Sequence, residues 1–356
     1  MLKLLLLLSS LTLPFKAHAY ESMIRHGYAS CVTCHLSQTG AGLLNSYGKV
    51  IAQQFSAFSK MEMPKKSNFS QGLQTRLAHY RSNGQTRNFP MQFDYLAAFQ
   101  RDKFTIEGTL AKAPKDESNE EESSFAEEIY VRKALVSYEL DKENIIQLGR
   151  DYIDSGLNLI DHTLFVRRNN KRGVTDFFTI LRSSHTLKKN WKVIPTLFMP
   201  SFQEFSENQE KGLALKVERF MPEQKWVLAL SALGGQTDTL KRREVNISFK
   251  KAWKHLVLLG QYGLTHREIR SDDKSFNQRT ALLSSRLFPL ESLEVYFNWE
   301  NIDVEDPFLT KATRYGHGLR LKPLSNLSLE YDAKRNTHTG SKFQSIFQIY
   351  FNGWFL

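Results

Sequence analysis

The sequence predicts a mainly β protein: a transmembrane antiparallel β-barrel of about 16 strands, preceded by a small N-terminal α/coil segment. Three observations indicate this fold. Apolar and polar residues alternate with a period of two in repeated segments from about residue 71 onward. Tight turns and longer polar loops connect these segments. The chain of 356 residues ends inside such a segment, in an aromatic and apolar cluster.

The chain begins with the pattern of a secretory signal peptide. Met1-Leu2-Lys3 forms a short positive region, residues 4–13 are apolar, and Ala17-His18-Ala19 is a small-x-small cleavage site. The apolar run is shorter than the ~20 residues that a membrane-spanning helix needs, which argues against an anchor. We therefore expect residues 1–19 to be removed, and the mature chain to begin near Tyr20 in an oxidising compartment.

The only two cysteines of the chain lie in the motif Cys31-Val32-Thr33-Cys34-His35. Two thiols at this spacing can add to the two vinyl groups of one haem, and the adjacent histidine can bind the iron. A thioredoxin-like pair would lie near a βαβ pattern, and a zinc site would need a fourth ligand. A disulfide or a chance arrangement is the remaining alternative. The motif predicts one haem c, bound covalently by Cys31 and Cys34, with His35 as the proximal iron ligand.

Residues 20–70 differ in composition from the rest and form the predicted haem segment. Glycines follow the motif, an amphipathic helix is predicted over residues 45–58, and a polar linker with Pro64 leads to the barrel. A segment of ~50 residues is too small to enclose a haem alone. We therefore expect the covalent haem to stabilise this segment and the barrel lumen to shelter it, so that the segment plugs the barrel.

The sixth iron ligand is left open by the sequence. Met61 and Met63 are the first candidates, and His26 could fold back from its position before the motif. His79, at the start of the barrel, could project inward. Methionine would raise the potential of the iron and histidine would lower it. A five-coordinate iron is a further alternative.

The barrel is predicted over residues 71–356. Strict alternation in residues 104–110, 293–299 and 327–332 is typical of strands with one apolar and one polar face, and residues 89–99 follow it except at Leu96. Some of these strands run ~10 residues or longer, which favours a membrane barrel over a soluble sandwich or propeller. A barrel of about 16 strands would enclose an aqueous lumen.

Turns, loops and aromatic residues refine this prediction. Asn83-Gly84 and Pro289-Leu290-Glu291 are predicted tight turns, and residues 113–125, 267–277 and 300–311 are predicted long loops. The final residues, SIFQIYFNGWFL, resemble the C-terminal assembly signal of bacterial outer-membrane barrels, although the chain ends on Leu356 rather than Phe. Aromatic residues near predicted strand ends are expected to form an interfacial girdle: Tyr130, Tyr138, Trp191, Trp226, Trp253, Phe288 and Trp299.

The stretch HGYASCVTCHLSQTGAGLLNSYGK, followed by a barrel with FPMQFD in its second strand, resembles the outer-membrane fused monohaem cytochrome–porins of Gram-negative bacteria. In that family a single C-x-x-C-H lies just after the signal peptide and a β-barrel completes the chain. The resemblance implies a location in the bacterial outer membrane, with the haem segment on the periplasmic side or in the lumen. It also implies electron transfer to a periplasmic cytochrome or other redox partner, and an extracellular electron donor or acceptor.

Charge adds little to the functional prediction. The formal net charge is +11, and basic clusters such as RRNNKR (167–172) and KRRE (241–244) are expected on solvated loop faces. Because no aromatic-basic recognition module accompanies them, we expect no nucleic-acid partner. The sequence contains no nucleophile–base constellation and no Gly-rich phosphate loop. The chain is therefore predicted to be an electron carrier rather than an enzyme.

Two main functional hypotheses remain. The first is an electron-transfer protein that passes electrons between the cell exterior and periplasmic cytochromes through the single haem. One haem cannot easily bridge a ~30 Å hydrocarbon core, so it would need to lie near one face or to have a partner haem. The alternative is a porin-like solute channel whose haem segment is a plug or redox sensor. A peroxidase-like activity would follow only from a five-coordinate iron.

The haem prediction can be tested on a denaturing gel. The wild-type protein should stain for haem peroxidase activity, because a thioether-bound haem stays with the denatured chain. A Cys31→Ala/Cys34→Ala variant should lose that staining. Staining that survives in the double variant would rule out covalent attachment at these cysteines.

Overall fold

Several separate stretches of the chain are described by the structure, a computed structural model: residues 21–28, 33–36, 43–54, 56–58, 67–82, 84–112, 129–141, 143–157, 159, 161, 163–168, 170, 176–187, 190–201, 209–270, 274–305, 311–337 and 343–355. Within them the chain forms a closed antiparallel barrel of 16 strands, which confirms the predicted fold class. No helix in these residues is long and apolar enough to cross a membrane.

Each strand pairs with its neighbours in the sequence, and β1 pairs with β16 from Gln71↔Phe355 to Ser82↔Gln344 to close the barrel. The closed ladder leaves no sheet edge, as a barrel in lipid requires. The strands are β1 Phe69–Ser82, β2 Gln85–Arg101, β3 Phe104–Lys112, β4 Ile129–Glu139, β5 Asn144–Asp151, β6 Phe178–Leu187, β7 Trp191–Pro200, β8 Lys211–Met221, β9 Trp226–Gln236, β10 Leu240–Ala252, β11 Leu256–Ile269, β12 Lys274–Leu290, β13 Leu293–Val304, β14 Ala312–Leu324, β15 Leu327–Asn336 and β16 Phe343–Phe355.

Helical structure is minor. A 3₁₀ helix spans Glu21–His26, and helix α1 spans Ser46–Gln54. A four-residue helix, α2, spans Phe165–Arg168 between β5 and β6. The predicted helix over residues 45–58 is therefore present but shorter. It begins after Asn45, whose Oδ1 accepts the Gly48 amide at 2.8 Å as an N-cap.

The pleat of the strands separates an apolar exterior from a polar interior. In β10, Val245 and Ile247 point outward, and Ile247 is 60% exposed, whereas Glu244 and Asn246 are each 1% exposed in the lumen. The alternation predicted for residues 104–110, 293–299 and 327–332 is confirmed in the same way, with the polar residues inward. An apolar outer band over a polar interior is typical of outer-membrane barrels.

The two ends of the barrel differ. The short-turn end contains the turns that follow even-numbered strands, such as Asp102-Lys103 and Glu291-Ser292. The loop end contains the connections that follow odd-numbered strands. Most of those connections are longer, but β1 and β2 are joined by a short connection between Ser82 and Gln85. Short connections therefore occur at both ends of the barrel.

Two predicted loops are partly wrong because the strands continue through them. β11 extends to Ile269 and β12 begins at Lys274, and β13 runs to Val304. Charged residues pair across the strands there. Glu268 lies 3.2 Å from the Lys241 ammonium and 3.6 Å from Arg243. Such pairs let the strands extend past the apolar band. The polar composition of these residues therefore did not show where the strands end. The cluster KRRE also lies in β10 rather than on a loop, with Arg242 and Glu244 inward.

The aromatic girdle is clearest at the short-turn end. Trp191, Trp226 and Trp253 lie there, with Arg219 stacked 5.2 Å from the Trp191 ring and Lys251 5.1 Å from the Trp226 ring. Tyr130 and Phe288 do not belong to the girdle, contrary to the prediction. Both are buried in the lumen, Tyr130 against Phe177 and Phe288 under the Arg25 guanidinium.

The outward face of β10 provides a test of the membrane-spanning barrel. Ile247→Arg should destabilise the protein folded into lipid vesicles by about 2–4 kcal/mol, because an arginine would face hydrocarbon near mid-membrane. Urea titration of heat-modifiable migration would measure the change. Ile247→Ala is the control for lost side-chain volume. Equal effects of arginine and alanine would contradict a lipid-facing position.

Candidate functional site

A long connection between β5 and β6 folds into the barrel. We call its residues 152–177 the lumenal loop. Among its described residues, Ile153, Leu157, Leu159, Leu164 and Val166 are all buried. The sequence did not lead us to expect this inward fold. A run of apolar residues inside an otherwise polar connection was the signal that could have indicated it.

Hydrogen bonds from the barrel wall hold the backbone of the lumenal loop. The Gly156 amide donates to Ser231 Oγ at 2.9 Å, the Leu157 amide to Gln261 Oε1 at 2.7 Å, and the Phe165 amide to Glu300 Oε2 at 2.6 Å. Arginines donate to its carbonyl groups, Arg242 to Asn170 at 2.8 Å and Arg314 to Thr163 at 2.7 Å. The partners lie on β9, β10, β11, β13 and β14, so the loop is fastened along much of the wall.

Ion pairs fasten the same loop. Lys216 on β8 donates to Asp154 at 2.9 Å, and Lys334 on β15 pairs with Asp161. Burial alone would raise the pKa of Asp161, but Lys334 and the hydrogen bonds from Thr163 outweigh it and hold that pKa well below its usual range. Burial alone would also raise the pKa of Asp154, but the charges of Lys216 and Arg182 outweigh it and lower that pKa.

These shifts determine how the anchors respond to pH. A carboxyl whose folded pKa is depressed stabilises the fold above its ordinary pKa of ~4, and loses that contribution only as the pH falls through the lower folded value. Both anchors of the lumenal loop are therefore complete at neutral pH, and they persist under mildly acidic conditions.

The residues before the barrel also enter the lumen, from the short-turn end. We call the described residues between 21 and 58 the N-terminal plug. Ile24 is buried in one apolar cluster with Leu157 and Leu164 of the lumenal loop and with Leu259 and Phe288 of the wall. Apolar wall residues line the lumen where inserted chain packs against it, and the cluster of Ile24 is one such place. The two inserted segments thus share a core.

Arg25 fastens the plug to the short turns. Its guanidinium donates to Glu291 at 2.6 Å and to the Lys254 carbonyl at 2.8 Å, and its Cζ lies 4.0 Å above the Phe288 ring. Lys225 donates to the Arg25 carbonyl at 2.7 Å. Burial lowers the pKa of Arg25 more than Glu291 raises it, but a guanidinium stays charged at neutral pH.

The far side of the plug meets the opposite wall. Leu43 packs in a cluster with Leu96 and Ala98 of β2, which explains why Leu96 breaks the polar face of that strand. The amides of Ala57 and Phe58 donate to the carbonyls of Lys322 and Pro323 at 3.1 and 2.9 Å. The plug therefore reaches from β2 to the turns beyond β8, β10, β12 and β14.

The motif residues that the structure describes lie within this plug. Cys34 is buried with Met23, Leu44 and Ile51, and Tyr28 packs at the edge of that cluster. The Cys34 carbonyl accepts the Asn45 amide at 2.9 Å, which ties the motif to the start of α1. Gly48 is required there, because a Cβ would lie 2.1 Å from the Cys34 carbonyl oxygen.

Two tyrosines border the same cluster. The rings of Tyr28 and Tyr47 meet edge to face at 6.0 Å, and their hydroxyl groups share a hydrogen bond. That bond, together with burial, raises the pKa of Tyr47 to about 12. The Tyr47 phenol is therefore neutral at physiological pH and acts as a hydrogen-bonding and packing group.

The other predicted ligands fall in different places. Cys31, Met61 and Met63 lie outside the described residues. His26 faces the barrel, with its Nε2 3.4 Å from the Glu291 carboxylate. His79 is exposed on the wall and hydrogen-bonds Asn88 at 2.7 Å, so it does not project inward as we expected. Among the described residues, no group of three or more His, Cys, Asp or Glu side chains could hold a metal ion.

The residues present fit a covalently bound haem. A thiol, Cys34, lies in an apolar cluster that suits a porphyrin edge, and the imidazole of the next residue supplies an iron ligand of the required kind. Cys34 and His35 lie on the backbone that α1 holds through Asn45 and Gly48. The haem itself, and the role of Cys31, stay predictions.

Solved structures match the chain in fold. A loop L8 deletion mutant of OmpT, an outer membrane protein of Vibrio cholerae, matches with a TM-score of 0.63 at 10% identity, over 80% of this chain and 98% of that one. A refined porin structure gives 0.54 at 11% identity, over 80% and 99%. The anion-selective porin from Comamonas acidovorans gives 0.52 at 11% identity, over 81% and 98%.

At these identities the likeness shows the fold alone, a porin-like outer-membrane barrel. No protein-family model matches the sequence, and no curated protein does. The predicted outer-membrane type of barrel is thereby confirmed, and the haem-bearing segment stays a prediction.

Glu300 provides a test of the lumenal loop. It is fully buried, accepts the Phe165 amide, and forms a bidentate pair with Arg314 at 2.8 and 3.0 Å. Glu300→Gln should loosen the loop by about 3–5 kcal/mol, because Arg314 would lose its buried partner. Hydrogen exchange of peptides covering residues 157–166 should then be markedly faster. Glu305→Gln, at an exposed pair with Arg279, is the control. Unchanged exchange in Glu300→Gln would contradict this anchoring.

Proposed function

We propose that this chain is a porin-like channel of the bacterial outer membrane, whose lumen is narrowed by the lumenal loop and by an N-terminal plug that carries haem c. The observation that carries the proposal is the position of the plug. Arg25 and Ile24 connect it to the short-turn mouth and to the lumenal loop. Short turns face the periplasm in bacterial outer-membrane barrels, so the plug would close the periplasmic side.

The barrel wall supports a solute pathway. Sixteen strands enclose more space than wall side chains can fill. The inward charges occur in pairs, such as Arg182 with Asp151 at 2.7 Å and Arg320 with Glu294 at 2.9 Å. Because positive and negative side chains are paired, the wall is polar but does not present a strong charge of one sign. Passage of a solute would therefore depend chiefly on how much of the lumen the lumenal loop and the N-terminal plug leave open.

In this proposal Cys31 and Cys34 hold the haem and His35 binds its iron. When bound, the haem would supply one-electron redox chemistry at the mouth of the barrel. The protein residues would position it through α1, exclude water through Met23, Leu44 and Ile51, and fasten the plug through Arg25. The proposal assigns no enzymatic reaction to the chain.

Electron transfer is the second candidate function, and the Cys-x-x-Cys-His motif favours it. The haem would lie near the periplasmic face, where a periplasmic cytochrome could reach it, and transfer to the exterior would need a further carrier. The Cys31→Ala/Cys34→Ala variant separates the two functions in vesicles. Loss of electron flux to an enclosed acceptor, with solute conductance unchanged, would favour the electron carrier. A change in conductance would favour the channel.

A charge exchange between plug and barrel tests the channel. Arg25→Glu places two carboxylates together, and Glu291→Arg places two guanidiniums together, so each single variant should release the plug and raise conductance in planar bilayers severalfold. The double exchange should restore much of the wild-type closure, because the pair is re-formed. Lys103→Glu, in the β2–β3 turn, is the control, because Lys103 hydrogen-bonds the Leu140 carbonyl instead.

Heat-modifiable migration should be unchanged in all four variants, which would show that the barrel is intact. Wild-type conductance in both single exchanges would overturn the assignment of residues 21–58 as the plug of a channel.

A further inference from the structure

The 3₁₀ helix of the plug divides its side chains between two environments. Ile24 and Arg25 face the barrel, where they join the shared core and bind Glu291. Met23 faces the other way and is 5% exposed, in the cluster that contains Cys34. Residues of a 3₁₀ helix follow one another at about 120°, so neighbouring side chains point in different directions.

A sharp turn brings this helix back onto the motif. The Gly27 amide donates to the Ile24 carbonyl and the Tyr28 amide to the Met23 carbonyl, both at 3.1 Å. Gly27 adopts φ +87°, a left-handed conformation that suits glycine. Met23 lies in one buried cluster with Cys34, which is 11 residues further along the chain.

We propose that Met23 would supply the second protein ligand of the iron, beside His35, when haem c is attached at Cys31 and Cys34. This inference rests on the haem-bearing plug proposed above. A thioether is a soft donor, and methionine with histidine is an established axial pair for haem iron. Met23 is a buried thioether that packs in the same cluster as Cys34.

His26 is less well placed for this role. Its Nε2 lies 3.4 Å from Glu291 and 3.5 Å from the Arg25 guanidinium, so its ring is engaged with the barrel turn. If His26 bound the iron, it would lose its contacts with Glu291 and Arg25. Met23 needs no such exchange of partners, because its neighbours are the apolar residues Leu44 and Ile51.

Met23 is not among the ligands predicted from the sequence. It precedes the motif, whereas the predicted methionine ligands, Met61 and Met63, lie in the linker that follows it. The reversal at Gly27 is the feature that makes an upstream residue a neighbour of Cys34, and a lone glycine before the motif does not by itself predict that contact.

Spectroscopy of the full-length protein, purified with its haem in detergent, tests the assignment. Ferric wild-type protein should be low-spin and should show the weak far-red charge-transfer band of methionine-bound haem iron. Met23→Leu keeps the apolar volume but removes the sulfur. It should lose that band, become partly high-spin and bind added imidazole at least tenfold more tightly. Met23→His should stay low-spin with a lower midpoint potential, because histidine replaces methionine.

Two controls make the outcomes separable. A Met61→Leu/Met63→Leu variant should keep the far-red band, and a pyridine haemochrome assay should give one haem per chain in every variant. A band that survives in Met23→Leu, or that is missing from wild-type protein with its haem attached, would overturn the role of Met23. A wild-type protein without covalent haem would instead overturn the haem-bearing plug, and this assignment with it.

Discussion

The width of the lumen is the constraint on which the rest of this structure depends. A barrel of 16 strands has more interior than its own side chains can fill, so the space must hold water or further chain. This protein inserts chain from both ends. The lumenal loop enters from the loop end and the N-terminal plug from the short-turn end, and they meet at Ile24 and Leu157. At that contact the wall contributes apolar side chains, such as Leu259 and Phe288, which pack against the inserted chain.

Buried charge pairs make the insertion specific. The backbone of a loop that leaves water must find new hydrogen-bond partners, and unpaired charges inside the barrel would be costly. Glu300 serves both needs, since it accepts the Phe165 amide and pairs with Arg314. Lys334 with Asp161 does the same at β15. Such pairs contribute little net stability compared with apolar packing, but removing one partner is costly, so they define one position for the loop.

Sequence reasoning predicted the wall of the barrel well and its contents poorly. Alternation depends on each strand alone, so the strands around residues 104–110 and 293–299 were recognisable. Leu96 and Phe288 are not where alternation and the predicted girdle would put them, because each packs against chain inserted into the lumen. The sequence of a single strand does not show such a contact. The strand end at Ile269 was missed because the pair of Glu268 with Lys241 joins β11 to β10 among residues of polar composition.

The haem motif was recognisable because its chemistry is local, whereas its surroundings depend on tertiary structure. Cys34 lies on a backbone held by Asn45 and Gly48, and its buried neighbours come from both sides of the motif in sequence. Spacing alone could indicate the attachment residues but not the contacts of Met23 or Arg25.

The 3₁₀ helix of the plug connects the cluster around Cys34 to the barrel turn at Glu291. Met23 touches the Cys34 cluster, and Arg25, two residues further along the same helix, is bonded to the barrel turn at Glu291. A ligand that binds Met23 would therefore change the free energy of the contact between Arg25 and Glu291. Because coupling between two sites is reciprocal, release of Arg25 would change the free energy of ligand binding at Met23 by the same amount. If the plug carries haem c as proposed, the redox state of the iron would be coupled to closure of the lumen through this single helical turn, and the channel would respond to redox potential without a separate sensor domain.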